Sequence, residues 1–173
     1  MFREWIWKKQ KMKIKDNKAF TIYILLTLVI WQLAISLSKI FMNEHFFKRN
    51  EDLIFFLITE TKNKGAAFGI FQDSSLILGV LGVVVILFCI FYVAKYISFQ
   101  DKTKILSAAI FTSGILGNSV QRLFDGYVTD FIKLTFVDFP VFNLFDVLIT
   151  SSVFIYIFFY LREEIIKRVK NCK

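Results

Sequence analysis

Four long apolar stretches, bounded by charged or turn-forming residues, set the pattern of this chain: about Ala19 to Met42, Leu76 to Tyr96, Ile105 to Phe124 and Leu144 to Leu161. A helix needs ~20 apolar residues to cross the hydrocarbon core of a bilayer, so the pattern predicts four transmembrane helices. A different texture separates the first two. Leu53 to Thr61 is rich in aromatic and β-branched residues, and the turn signal Asn63-Lys-Gly65 divides it from Ala66 to Phe71. These runs are too short to span as helices. They read as strands of a small sheet on the membrane surface, or as a purely structural hairpin, and Gly65 and Gly69 would let backbone approach a ligand or another segment closely.

The third stretch is small and polar at helical spacing. Ala109, Ser113 and Gly117 recur every four residues, as do Gly114, Asn118 and Arg122, so one side of that helix carries small residues and then polar ones. Such a stripe is expected to face the bundle. In the fourth stretch Asn143, Asp146 and Thr150 share a face in the same way, and the two faces are expected to meet near one membrane surface.

Composition agrees with a membrane setting: 56% of the residues are hydrophobic, 22 are Phe and one is Pro, against roughly 45 to 50% apolar in soluble domains. The net charge of +8 has a topological reading. Fifteen of the 22 basic residues precede the first stretch (Arg3 to Lys18), flank the connection between the second and third (Lys95, Lys102, Lys104) or end the chain (Arg162 to Lys173). By the positive-inside rule both termini are cytoplasmic, and the connections Asn43 to Ser75 and Asp125 to Asn143 lie outside. Because the basic clusters coincide with span boundaries, no nucleic-acid partner is expected.

The expected organisation is a basic segment over 1–18, one four-helix membrane domain over 19–166 with an extracytoplasmic insertion at 43–75, and a cytoplasmic tail over 167–173. In the first segment Trp5, Ile6, Trp7, Met12 and Ile14 alternate with lysines. It suits either contact with anionic membrane lipids or a solvated tail that only fixes topology. No small-residue cleavage site follows the first stretch, so it is expected to remain as an anchor. Cys89 lies inside the second stretch and Cys172 in the cytoplasmic tail, so they cannot pair, and the lone His45 reads as interfacial; no metal site is expected.

The candidate chemistry lies in Asp130 and Asp146, which sit where apolar segments meet the water outside. Ionisable groups at that depth are costly, and two carboxylates suggest acid and base work. Three stretches resemble bacterial lipoprotein signal peptidase (signal peptidase II). Asn63-Lys-Gly-Ala-Ala-Phe-Gly69 is similar to its N-x-G-A-A-F-G segment. Gly117-Asn-Ser-Val-Gln-Arg122 and Gly126-Tyr-Val-Thr-Asp-Phe-Ile132 are similar to G-N-x-x-D-R and G-x-V-x-D-F-I, and Phe142-Asn-Leu-Phe-Asp146 is similar to F-N-x-A-D.

The resemblance covers essentially the whole chain. It implies a mainly α membrane fold of four transmembrane helices with a small extracytoplasmic β-sheet, in the bacterial plasma (inner) membrane, with the active site near the outer face. It implies an aspartic endopeptidase that cuts diacylglyceryl-modified prolipoproteins before the lipidated cysteine, needs no cofactor, and is open to globomycin-type inhibitors. Asp130 and Asp146 then map to the catalytic pair, and Asn63, Gly65, Asn118, Arg122 and Asn143 to supporting or substrate-binding positions. One of two neighbouring carboxyls would hold a proton as acid while the other activates water as base.

Four positions depart from the family pattern: Gln121 and Trp31 stand where the family usually has Asp, Phe145 replaces a small residue, and Ser152 stands where Gly is frequent. A ring at Phe145 either narrows the groove beside the dyad and so alters specificity, or packs among the helices and bears on stability. A silent or specialised relative that only binds lipidated proteins, and a small four-span transporter, are the alternative readings.

Overall fold

The computed structural model describes residues 2–43, 55–66 and 70–171, the side chains of 2–16 and 171 excepted. Readings that rest on His45, Leu53, Ile54, Ala67 to Gly69 and Cys172 lie outside that set. The element order is α1 (Phe2–Phe41), β1 (Phe56–Asn63), α2 (Ser75–Tyr96), α3 (Lys102–Phe124), β2 (Val128–Leu134) and α4 (Leu144–Asn171). The basic segment and the first apolar stretch share one unbroken helix of 40 residues. At 1.5 Å per residue that is roughly 60 Å, about twice a hydrocarbon core, so the lysine-rich end extends well beyond any span.

Three of these helices are long and apolar enough to cross a membrane: Asn17–Phe41, Ser75–Tyr96 and Leu144–Lys170. Their outward faces carry the large exposed residues, among them Leu25, Leu33, Leu76, Leu87, Phe88, Phe154 and Phe158. In contrast, α3 does not meet that description, although it has 23 residues. The reason is its place. It packs against α1, α2 and α4 alike, and nine of its positions from Ile105 to Ser119 are buried. A helix with protein on several sides gains from close approach rather than from lipid-facing bulk, so Ser, Gly, Thr and Asn replace Leu and Phe.

The small stripe does face the bundle. A Cβ on Gly114 would meet the Phe145 carbonyl oxygen at 2.6 Å, and one on Gly117 would collide with the Phe145 ring. On the opposite side Gly79 and Gly82 of α2 receive Leu123 and Ser119. Farther along α3 the core is drier: Ala19 and Tyr23 of α1, Val93 and Ile97 at the end of α2, and Ile105 and Ala109 of α3 are buried together. Hydroxyls there join α1 to α3, with Tyr23 Oη and Thr112 Oγ1 at 2.8 Å and Ser113 Oγ donating to the carbonyls of Ala109 (2.6 Å) and Thr27 (2.9 Å).

The sheet differs from the expected one. Its two strands are β1 and β2, antiparallel, with Ile58 opposite Ile132 and Thr61 opposite Asp130; one extra β1 residue between these pairs makes a bulge. Among the described residues the second strand is β2, and Ala66, Ile70 and Phe71 lie in bends and turns. Ala66 N–H donates to the Ile70 carbonyl at 2.8 Å, and a Cβ on Gly65 would stand 2.8 Å from the same oxygen. Phe71 and Asp73 take positive φ of 57° and 63°.

Candidate active site

The short strand β2 and the first turn of α4 are bound together before any site residue is considered. The N–H groups of Phe131 and Ile132 donate to the Phe142 carbonyl at 3.0 and 2.8 Å, and Phe142 N–H returns to the Ile132 carbonyl at 3.0 Å. This bridge brings Asn143, the first residue past it, beside Asp130. Asn143 also caps α4. Its Oδ1 accepts the N–H groups of Phe145 (2.7 Å) and Asp146 (3.1 Å), while the Asp146 carboxylate accepts Asn143 N–H at 3.1 Å. The reciprocal pair is a capping box, and it holds the Asp146 carboxylate at the positive end of the helix.

The same asparagine reaches the other carboxylate. Asn143 Nδ2 donates to Asp130 Oδ1 at 2.7 Å and to Asn118 Oδ1 at 3.1 Å, and Asn118 Nδ2 donates to Asp146 Oδ1 at 2.7 Å. From β1, Asn63 Nδ2 donates to Asp130 Oδ2 at 2.9 Å. Two carboxylates are thus joined through two asparagines, and each oxygen of each carboxylate accepts an amide N–H. Asn63 is itself fixed, since its Oδ1 accepts Gly65 N–H at 2.9 Å in a local turn. The Gly65 carbonyl accepts Arg122 Nη2 at 3.0 Å. All seven residues singled out in the sequence, from four separate elements and two of the connections between them, are gathered here.

Burial decides the electrostatics. Asp130 is 3% exposed. Loss of water pushes its carboxyl up from 3.8 to about 6, against the donors on Asn63 and Asn143; the charge of Asp146 adds to the rise and the Arg122 guanidinium opposes it. The pair opens into a cleft of about 1080 Å³, whose lining includes Asn63, Arg122, Asp130, Phe142, Asp146 and Phe154. Asp146, Thr150 and Phe154 are four residues apart on α4, so the cleft runs from the carboxylates along one face of that helix.

Among the departures, Phe145 does not line this cleft. Its ring is 3% exposed and fills the space left by the missing side chain of Gly117, because α4 residues 145 and 146 point to different sides. The expected narrowing of the groove by Phe145 is therefore set aside. Gln121 contributes a bond that the sequence did not foretell, its Oε1 accepting Thr129 N–H at 2.8 Å. Ser152 is buried on α4 and donates to the Ile149 carbonyl at 2.6 Å, which needs no outside partner.

A family model described as signal peptidase (SPase) II matches residues 24–162. The chain belongs to the signal peptidase II family. Its membership makes it a protease of lipoprotein processing, seated in a membrane by its apolar helices. The lipoprotein signal peptidase of Streptococcus pneumoniae (strain R6) is 35% identical over 111 residues, covering 64% of this chain and 72% of the relative. That of Clostridium tetani is 38% identical over 125 residues, covering 66% and 77%. Among solved structures, a bacterial membrane enzyme determined at 2.3 Å shares the fold with a TM-score of 0.66 at 22% identity, over 82% of this chain and 88% of that one. A second, at 1.9 Å, gives 0.64 at 21% identity, over 80% and 92%.

Proposed function

We propose that this signal peptidase is an aspartic endopeptidase in which Asp130 and Asp146 are the catalytic pair, cutting diacylglyceryl-modified prolipoproteins on the amino side of the lipidated cysteine. The observation that carries the reading is the shared amide network: two carboxyl groups on different elements, both facing one cleft, both held by Asn143. Burial keeps a proton on Asp130 to a higher pH than an exposed carboxyl would hold it. Substrate filling the cleft removes more water and moves Asp130 further in that direction. Asp130 is then the acid and Asp146 the base.

In the step itself Asp146 takes a proton from water as its oxygen attacks the scissile carbonyl carbon, and Asp130 gives its proton to the carbonyl oxygen. The tetrahedral species collapses when the proton on Asp146 passes to the cysteine nitrogen and Asp130 takes a proton back from one hydroxyl of the diol. The C–N bond breaks, and the signal peptide leaves with a new carboxyl group. Nothing covalent forms on the enzyme. Arg122, whose Nε is buried and has no partner among the described residues, supplies a donor for a substrate carbonyl.

The face of α4 running from Asp146 to Phe154 suits an apolar signal helix arriving from the lipid. With α3 as the fourth span, charge bias puts both termini in the cytoplasm and the dyad near the outer surface. Two measurements test this reading. Purified enzyme incubated with a diacylglyceryl-prolipoprotein should release a product that begins with the lipidated cysteine, and intact substrate after prolonged incubation would leave only a binding role. Reporters after Lys170 and near Gln100 should read cytoplasm and one near Lys48 outside; the reverse would put the cleft on the wrong side for exported lipoproteins.

A further inference from the structure

The bond from Gln121 to β2 stands apart from the network around the carboxylates, and its position gives it a distinct task. Gln121 lies in the last turn of α3, one turn beyond Asn118 and next to Arg122. Its Oε1 accepts the N–H of Thr129, the residue immediately before Asp130. Between the two, the chain turns at Gly126 with φ of +77°. The bond closes a loop of eight residues and ties the helix that supplies Asn118 and Arg122 to the strand that supplies Asp130.

Packing does not act alone here, although Val128 and Phe131 of β2 are buried. On the side of the dyad away from the cleft lies a second cavity of about 300 Å³ between α1, α3 and β2, lined by Trp31, Gln121, Thr129, Phe131, Asn143 and Phe145 among others. Three of the four departures from the family pattern, Trp31, Gln121 and Phe145, therefore line the same space. Where a strand borders a void it has fewer van der Waals contacts on that side, and hydrogen bonds carry more of its restraint. The start of β2 has such bonds at Thr129 from Gln121, and at its pairing with Lys62 of β1.

We propose that Gln121 is a positioning residue for Asp130: its neutral side-chain oxygen sets the height of β2 against α3, so that the Asp130 carboxyl meets Asn143 and faces Asp146. Neutrality is part of the role. The charged and titratable groups around Asp130 are Arg122 from α3 and Asp125 just past its end, Asp146 from α4, Lys62 from β1, Lys64 and Asp73 from the loop after it, and Lys39 from α1, the last lining the cavity with Asp125. An amide keeps the acceptor without adding a further carboxylate to that set.

This inference rests on the catalytic reading of Asp130, and the experiment separates the two. Gln121→Met removes the acceptor at similar size, Gln121→Glu keeps the acceptor and adds charge, and Asp130→Asn serves as control. Each is assayed on diacylglyceryl-prolipoprotein over pH 5 to 9 and corrected for folded fraction. Gln121→Met should lose ~10- to 100-fold in kcat with KM nearly constant, the penalty of a slightly misplaced group. Gln121→Glu should keep most of kcat at its optimum but shift the pH profile upward, because a like charge favours the protonated acid. Should the Met variant fail to fold, the pH profile of the Glu variant decides. Wild-type kcat in Gln121→Met, or an unmoved profile in Gln121→Glu, with Asp130→Asn inactive, overturns the positioning role alone. Full activity in Asp130→Asn removes the catalytic reading itself.

Discussion

The middle of α3 and its last two turns bury polar groups in different ways. Around Ser113 and Thr112 neutral groups of α3 and α1 meet, with Ser113 donating to the Ala109 and Thr27 carbonyls and Tyr23 meeting Thr112. Around Asn118 the bonds run on to two carboxyls, directly to Asp146 and through Asn143 to Asp130. The first arrangement joins two helices and leaves their neighbours free to pack on apolar surface. The second uses the same low-dielectric interior to hold two carboxyls in fixed relation, which no single helix can do alone. Removing a group in the first region should disturb packing, and in the second should disturb chemistry.

Asn143→Ala should separate the regions most sharply. It removes the donor to Asp130 and the cap of α4 together, so cleavage should fall by roughly two to three orders of magnitude, and stability by about 1 kcal/mol for the cap. Tyr23→Phe, which deletes one hydroxyl in the first region, should leave kcat within about twofold and cost about 1 kcal/mol of stability. Turnover and thermal unfolding of the two variants, measured together, check the contrast. A large loss of kcat in Tyr23→Phe would break it.

Phe145 tests where packing ends and the site begins. Truncating the ring that fills the Gly117 notch should lower stability by about 3 to 5 kcal/mol, with substrate selectivity unchanged across prolipoproteins that differ in the residues before the cysteine. A shifted preference without a stability loss would put the ring back at the groove.

A smaller effect follows from Asp130. Its folded value of about 6 lies above the ordinary 3.8, so its contribution to stability is fully present below about pH 4 and is lost as pH rises through 6. Asp130→Asn has no such dependence. The stability of the variant relative to wild type should improve between pH 4 and pH 8, by at most about 3 kcal/mol for a shift of two units. Parallel stability curves would mean that Asp130 is not held in its protonated form by burial.

How much of this was legible in the sequence depends on the range of the interaction. Apolar runs and four-residue spacings report local periodicity, and they located the helices and the buried face of α3 from Ala109, Ser113 and Gly117. The pairing of Thr61 with Asp130 spans a large part of the chain and leaves no periodic trace, so β2 was not read as a strand. The same limit hid the bond from Gln121 to Thr129, although a polar residue one turn after Asn118 was a signal. Phe145 misled for a different reason: adjacency to Asp146 in sequence was taken as adjacency in space, whereas consecutive helical residues point about 100° apart. Asp130 and Asp146 stood out by their place at the ends of apolar segments, Asn118, Arg122 and Asn143 by helical spacing and Asn63 and Gly65 by a turn signal; motif resemblance gave them roles, and their joint geometry came only from the fold.

The most direct test of the central claim is single-turnover cleavage of a diacylglyceryl-prolipoprotein by Asp130→Asn and Asp146→Asn beside wild type, with insertion and folding verified for each. The amides preserve size but cannot exchange the proton, so both variants should lose at least about three orders of magnitude in rate. Cleavage near the wild-type rate by either one would contradict the assignment of the pair.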